Sequence, residues 1–297
     1  MWVFASSAAH RNPLPRINMR VLPILRASLA GILFFAALAA GSCRAAELSQ
    51  DDIDFRKLTL DKGNEQHLNY RLFVPLGYDA GHKYPLVLWL HGANGRGSDN
   101  VKQLTGGNQL GTHFWISRDV QRSFPAFVLA PQCPIGQSWS EPDLNRPSEV
   151  LLLVMDALYK TEREFSIDPD RIYVAGQSMG GLGVWSLIQT YPNQWAAALV
   201  LCAYDNFSNL LGITMVPLWL FQGDDDQVVP PDLVRQMART LKKEHADFRF
   251  SEYHNVGHDV WIKAFAEPDL LPWLTSHTRK EPSSRGQLGS GLPAQIP

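Results

Sequence analysis

Cysteine is scarce in this chain: three residues in 297, at Cys43, Cys133 and Cys202. So few thiols cannot build a disulfide framework, and no combined Cys/His spacing suggests a metal site. Charge is also sparse. Charged residues make up 19% and the net charge is −2, so no field draws nucleic acid or an anionic membrane surface. The apolar run at 27–41 is shorter than the ~20 residues that cross a bilayer. Internal repeats are lacking, which removes solenoids and propellers.

What is present divides the chain in three. Arg20 and Arg26 flank the apolar stretch Ala27–Gly41, and small residues follow. This is the n-region, h-region and cleavage region of a signal peptide, read over residues 1–46, and it implies a secreted or periplasmic protein. Met19 is an alternative start, and a lipid anchor at Cys43 is the alternative fate, although Ala40 stands where a lipobox prefers leucine. If Cys43 leaves with the signal, Cys133 and Cys202 remain, either as a pair formed in an oxidising compartment or as two buried thiols. Residues 47–278 carry a full core, with 45% hydrophobic residues over the whole chain. Residues 279–297, rich in Gly, Pro and Ser, read as a disordered tail.

Within 47–278 the pattern alternates. Leu68–Val74 is an alternating strand. Leu86–Leu90, Ala126–Ala130, Arg171–Ala175, Ala197–Leu201 and Leu218–Phe221 are continuous apolar strands, and Phe248–Tyr253 closes the series. Strands apolar on both faces belong to parallel sheets covered by helices. Helical spacing is clearest at Ser148–Phe165, Met179–Thr190 and Asp232–His245. The expected fold is α/β, a doubly wound, mostly parallel sheet flanked by helices. About fifteen residues separate Cys202 from Pro217, too few for a large cap domain, so an open site shaped by the loops 93–112, 134–147 and 203–215 is expected.

The chemistry gathers at strand ends. Gly176-Gln177-Ser178-Met179-Gly180 follows an apolar strand and opens a helix, the G-x-S-x-G form of a nucleophile elbow. The tight turn lifts Ser178 clear of the backbone, and Cβ atoms at 176 and 180 would collide with strand and helix. Downstream, Leu218–Phe221 leads into Gly223 and the aspartates 224, 225 and 226. Further on, Phe248–Tyr253 leads to His254 and His258. Nucleophile, acid and histidine in that order, each past a strand, form a catalytic triad on the template of a hydroxyl activated by an oriented imidazole. His258 is preferred over His254 because it lies beyond the strand, in a loop able to reach over the sheet edge. Asp224, Asp225 and Asp226 all remain candidates for the acid. Trp139, in a Ser-Trp-Ser context, is read as a possible substrate wall; Trp115 and Trp261 also fall in or near loops.

Leu90-His-Gly-Ala93, Asp99-Asn100, Pro131-Gln-Cys-Pro134, Asp168–Gly181, Tyr191-Pro192, Gly223-x-x-Asp226-x-x-Val229-Pro230 and Gly257-His258-Asp-x-Trp261 together resemble secreted α/β-hydrolases. The similarity is to "predicted peptidases", polyhydroxybutyrate-depolymerase-like proteins and feruloyl or acetyl esterases, over roughly residues 65–275. It implies the α/β-hydrolase fold and a serine hydrolase that cleaves carboxylic esters through an acyl-enzyme. In that family the acid stands three residues past the glycine, which singles out Asp226. The resemblance also implies an oxyanion hole formed by the backbone N–H groups of Ala93 and Met179. His91 is a brace for that loop. No cofactor or metal is implied, and the partner is a small or polysaccharide-linked ester rather than nucleic acid. A serine peptidase of the same fold and a non-catalytic binding relative are the alternatives.

Overall fold

The apolar runs become the central strands of one sheet. A computed structural model describes residues 54–64, 66–141, 146–205 and 210–279, all within one unit, Ala46–Pro297. The signal-peptide reading with Cys43, and the tail beyond Arg279, lie outside the described residues. Arg279 itself is held: its N–H and guanidinium both donate to Asp170.

The strands are β1 (Arg56–Asp61), β2 (His67–Phe73), β3 (Tyr84–Leu90), β4 (Phe127–Pro131), β5 (Ser140–Glu141), β6 (Arg146–Pro147), β7 (Ile167–Gln177), β8 (Ala197–Leu201), β9 (Leu218–Gly223) and β10 (Phe248–Tyr253). The helices are α1 (Gln109–Ile116), α2 (Arg118–Ser123), α3 (Glu149–Glu164), α4 (Met179–Thr190), α5 (Leu210–Thr214), α6 (Pro231–Lys243), α7 (Trp261–Ala264) and α8 (Leu270–Thr275). Eight strands form the sheet in the order β1-β2-β4-β3-β7-β8-β9-β10, while β5 pairs only with β6. β2 runs antiparallel to β1 and to β4; from β4 to β10 every neighbour is parallel.

Alternate residues of each central strand feed two cores. Leu86, Leu88 and Leu90 of β3 join one apolar cluster with α3, α4 and α6, while Val87 and Trp89 join the other with α1, α7 and α8. Burial on both faces is why these strands read as unbroken apolar runs. α3 docks through Val150, Leu151, Val154, Met155, Ala157 and Leu158, spaced three and four apart, and the Ser148 hydroxyl caps its first turn by accepting from the Leu151 N–H at 3.2 Å.

Two features were not legible in the sequence. β1 is an edge strand whose Leu58 and Leu60 are only half-buried between exposed residues, so no apolar run marks it. The expected loops at 93–112 and 203–215 contain short helical turns, the start of α1 and the whole of α5. Cys133 and Cys202 are both buried and free, so they do not pair. Among the described residues no helix is long and apolar enough to cross a membrane.

Chain order reverses about β3, with β4 on one side and β7 on the other. The carboxyl ends of β3 and β7 therefore border the crevice where doubly wound sheets place their ligands.

Candidate active site

Ser178 stands between β7 and α4 with φ 53° and ψ −119°, a left-handed backbone that a side chain adopts at a cost of about 1–3 kcal/mol. The surroundings enforce it. Ser178 N–H donates to Leu201 O on β8 at 2.9 Å. A Cβ on Gly176 would lie 2.5 Å from the Gly180 carbonyl carbon, and one on Gly180 would strike the carbonyl of Leu90. Only glycine lets α4 start this close to β3 and β7.

The acid loop and the histidine loop are tied together at the next two strand ends. Asp224 N–H donates to Tyr253 O and Asp225 N–H to Val256 O, each at 3.0 Å. A Cβ on Gly223 would run into the carbonyls of Val256 and Gly257, so this glycine lets the histidine loop lie across the end of β9. His258 is thereby carried to Ser178. Its Nε2 is 2.9 Å from Ser178 Oγ, and its Nδ1 is 2.8 Å from Asp226 Oδ2.

These contacts define the proton positions. An ionised carboxylate only accepts, so Nδ1–H donates to Asp226 and Nε2 keeps its lone pair for the serine hydroxyl proton. The Asp226 side chain is fully enclosed, and four donors hold it. Oδ1 accepts from the N–H groups of Val228 and Val229 at 2.8 and 2.9 Å; Oδ2 accepts from His258 and from Gln222 Nε2 at 3.1 Å. The neighbouring acids have other work. Asp224 binds His254 at 2.7 Å on the exposed side of the loop, and that hydrogen bond holds its carboxyl below the usual range. Asp225 is exposed and accepts from Gln227. His254 therefore faces Asp224, and His258 is the imidazole that meets Ser178.

The oxyanion-hole candidates begin the turns after β3 and β7. Ala93 opens a 3-10 turn, Ala93–Gly95, and Met179 is the first residue of α4. Leu90 and Gly176 are register partners on adjacent strands, so the two turns start side by side. The Ala93 turn is braced from below. His91 is fully buried; Cys133 N–H donates to its Nε2 at 3.0 Å, so its Nδ1–H donates to Gly92 O at 2.6 Å. Burial pushes the His91 pKa down from 6.5 to about 4, and the ring is neutral. Asn108 Oδ1 accepts from Gly92 N–H at 2.9 Å, and Gln177 Nε2 donates to Gly107 O at 2.9 Å.

Trp139 is not a substrate wall. It is fully buried, its indole N–H donates to His91 O at 2.9 Å, and its ring packs edge-on against His91 at 4.9 Å. It supports the loop from inside, because an indole in this site has a partner for its N–H and no free face. Trp115 is buried as well. Trp261 alone of the three is partly exposed, with its ring edge-on to His258 at 5.9 Å. The positioning amides of Gln222, Asn108 and Gln177 escaped sequence reasoning. The available signal was a glutamine inside an otherwise apolar strand end, at Gln177 and again at Gln222.

Ser178 in the tight turn at the end of β7, Asp226 past β9 and His258 past β10 converge at one edge of a mostly parallel sheet. The same fold is found in an esterase solved as "a thermostable esterase", 34% identical, covering 76% of this chain and 64% of that chain with a TM-score of 0.72. This chain has the α/β-hydrolase fold. The family model described as "Dienelactone hydrolase family" matches residues 134–269, a little under half of the chain. A ferulic acid esterase from Anaeromyces mucronatus, solved with ferulic acid, shares 17% identity over 69% of this chain and 84% of that chain, with a TM-score of 0.51; it speaks to the fold alone. Poly(3-hydroxyalkanoate) depolymerase C of Paucimonas lemoignei is 30% identical over 140 residues, 44% of this chain. The match spans only 30% of that depolymerase.

Proposed function

We propose that this α/β-hydrolase cleaves carboxylic esters by a Ser-His-Asp acyl-enzyme mechanism. The observation that carries the reading is the unbroken line of hydrogen bonds from Asp226 through His258 to Ser178, at 2.8 and 2.9 Å. Ser178 Oγ attacks the ester carbonyl while His258 Nε2 takes its proton. The N–H groups of Ala93 and Met179 receive the oxyanion, and each such donor is worth about 3 kcal/mol of barrier. The imidazolium, steadied by Asp226, then gives its proton to the departing alcohol oxygen as the C–O bond breaks. Water, deprotonated by the same nitrogen, attacks the acyl-serine and releases the acid, restoring Ser178. Every step uses residues of this chain, without a metal or cofactor.

The name of one similar protein suggests where to look for substrates: hydroxyalkanoate polyesters. Residues 1–46 as an export signal fit such extracellular material, and the proposal includes secretion or release to the periplasm. The test is a panel of nitrophenyl esters beside peptide anilides, with a fluorophosphonate probe on wild type and Ser178→Ala. Ester turnover with labelling that Ser178→Ala abolishes is the expected result. Turnover of anilides alone would make it a peptidase, and no labelling of wild type would make it a binding relative.

A further inference from the structure

Beside His258 stands the half-exposed ring of Trp261. Trp261 and Phe265 lie one helical turn apart at α7, and Leu110 and Phe114 lie one turn apart on α1. The two elements meet through Phe114 and Phe265, whose rings are 4.8 Å apart. Phe265 also packs against Trp89 and Trp115 of the core beneath, at 5.5 and 5.9 Å. Phe114, Trp261 and Phe265 are each only half-buried, resting on the core on one side. Leu110 and Ile262 beside them are 38% and 52% exposed. Rings left this open in a soluble domain mark a binding surface more often than a packing defect.

Its position relative to the proton path identifies the occupant. His258 Nε2 must hand its proton to the leaving oxygen, so that oxygen stands against the imidazole when the C–O bond breaks. The substituent on that oxygen leads away along the flank of His258, and Trp261 is the ring that meets this flank. The oxyanion donors sit elsewhere, at the ends of β3 and β7. We propose that the half-exposed rings of Trp261, Phe265 and Phe114, with Trp261 set against His258, form a subsite for an aromatic or other bulky apolar alcohol portion of the ester.

This inference rests on the ester-hydrolase reading and deepens it, so the experiment separates the two. Two matched series are assayed by kcat/KM: acetate esters of methanol, butanol, benzyl alcohol and 2-naphthylmethanol, and methyl esters of acids of growing size. Wild type should favour the benzyl and naphthyl alcohols over methanol. Trp261→Ala should reduce the benzyl-to-methyl ratio by about 10–100-fold, the range for loss of an apolar pocket contact. Trp261→Phe should keep most of it. Leu110→Ser, at a site where folding is not at stake, should lower the same ratio by a smaller factor. A purely structural role for Trp261 would lower all substrates alike, leaving the ratio unchanged, and that result overturns the subsite. A loss that follows acyl size instead of alcohol size overturns it equally. Failure of wild type to hydrolyse any ester of either series defeats the ester reading itself.

Discussion

Three consecutive aspartates, of which the resemblance singled out Asp226, are told apart physically by their contacts. Asp226 is the enclosed carboxylate with four donors, whereas Asp224 and Asp225 face His254 and Gln227 at the surface. Asp226→Asn keeps the shape but presents an amide that can donate to Nδ1, which favours the tautomer with Nε2 protonated and unable to accept from Ser178. The expected loss in kcat is on the order of 10³–10⁴, with Asp224→Asn and Asp225→Asn each within a few-fold of wild type. Steady-state kinetics of the three variants decides it, and Asp225→Asn as the weakest enzyme would refute the assignment. Gln222 belongs to the same group: one buried amide serves Asp226 Oδ2 and the carbonyls of Gly223 and Val229, holding the turn that presents the acid.

At the scale of elements, the site depends on how closely two loops can cross. The histidine loop lies over the end of β9 only because residue 223 has no side chain. Gly223→Ala must move the Val256–Gly257 backbone, which leaves His258 displaced from Ser178. The expected outcome is a folded protein with circular dichroism close to wild type and kcat lowered by 10²-fold or more, since misplacements of about 1 Å have that effect. Unimpaired turnover in this variant would show that the loop has room to spare. Element types were legible where periodicity was strong: β3, β8, β9, α3 and α4 stand where the apolar spacing puts them. β1 was hidden because an edge strand with only two half-buried leucines has no apolar signature. α1, α5 and α7 were hidden because short helices at loop positions take their stability from the core they cover rather than from propensity.

At the scale of the molecule, burial of a titratable ring beneath the Ala93–Gly95 turn links stability to acid. His91 is neutral in the fold with a pKa near 4 and ordinary, near 6.5, when unfolded. Below pH 6.5 the unfolded chain binds a proton that the folded chain refuses, so stability falls as pH drops from 6.5 to about 4 and this contribution then levels off. The full span is roughly 3 kcal/mol. Denaturant unfolding of wild type and His91→Gln between pH 7 and 4 should show a shallower decline in the variant. Parallel curves would mean that His91 does not contribute this linkage. Protonation would also cost the Cys133 N–H its acceptor, loosening the loop held between His91 and Trp139.

The sequence alone determined the class of fold, the tight turn that carries Ser178 and the order serine, aspartate, histidine, because apolar periodicity and a glycine-bounded turn are local properties. It also narrowed the imidazole to the one beyond its strand. The residues alone left three carboxylates open and only the family resemblance pointed to Asp226; its contact with that imidazole, the support that Trp139 gives the loop from within, and the exposure of Trp261 beside His258 were decided by tertiary packing. Burial and hydrogen-bond partners belong to segments brought together by the sheet, and Ser178 and His258 lie 80 residues apart in the chain.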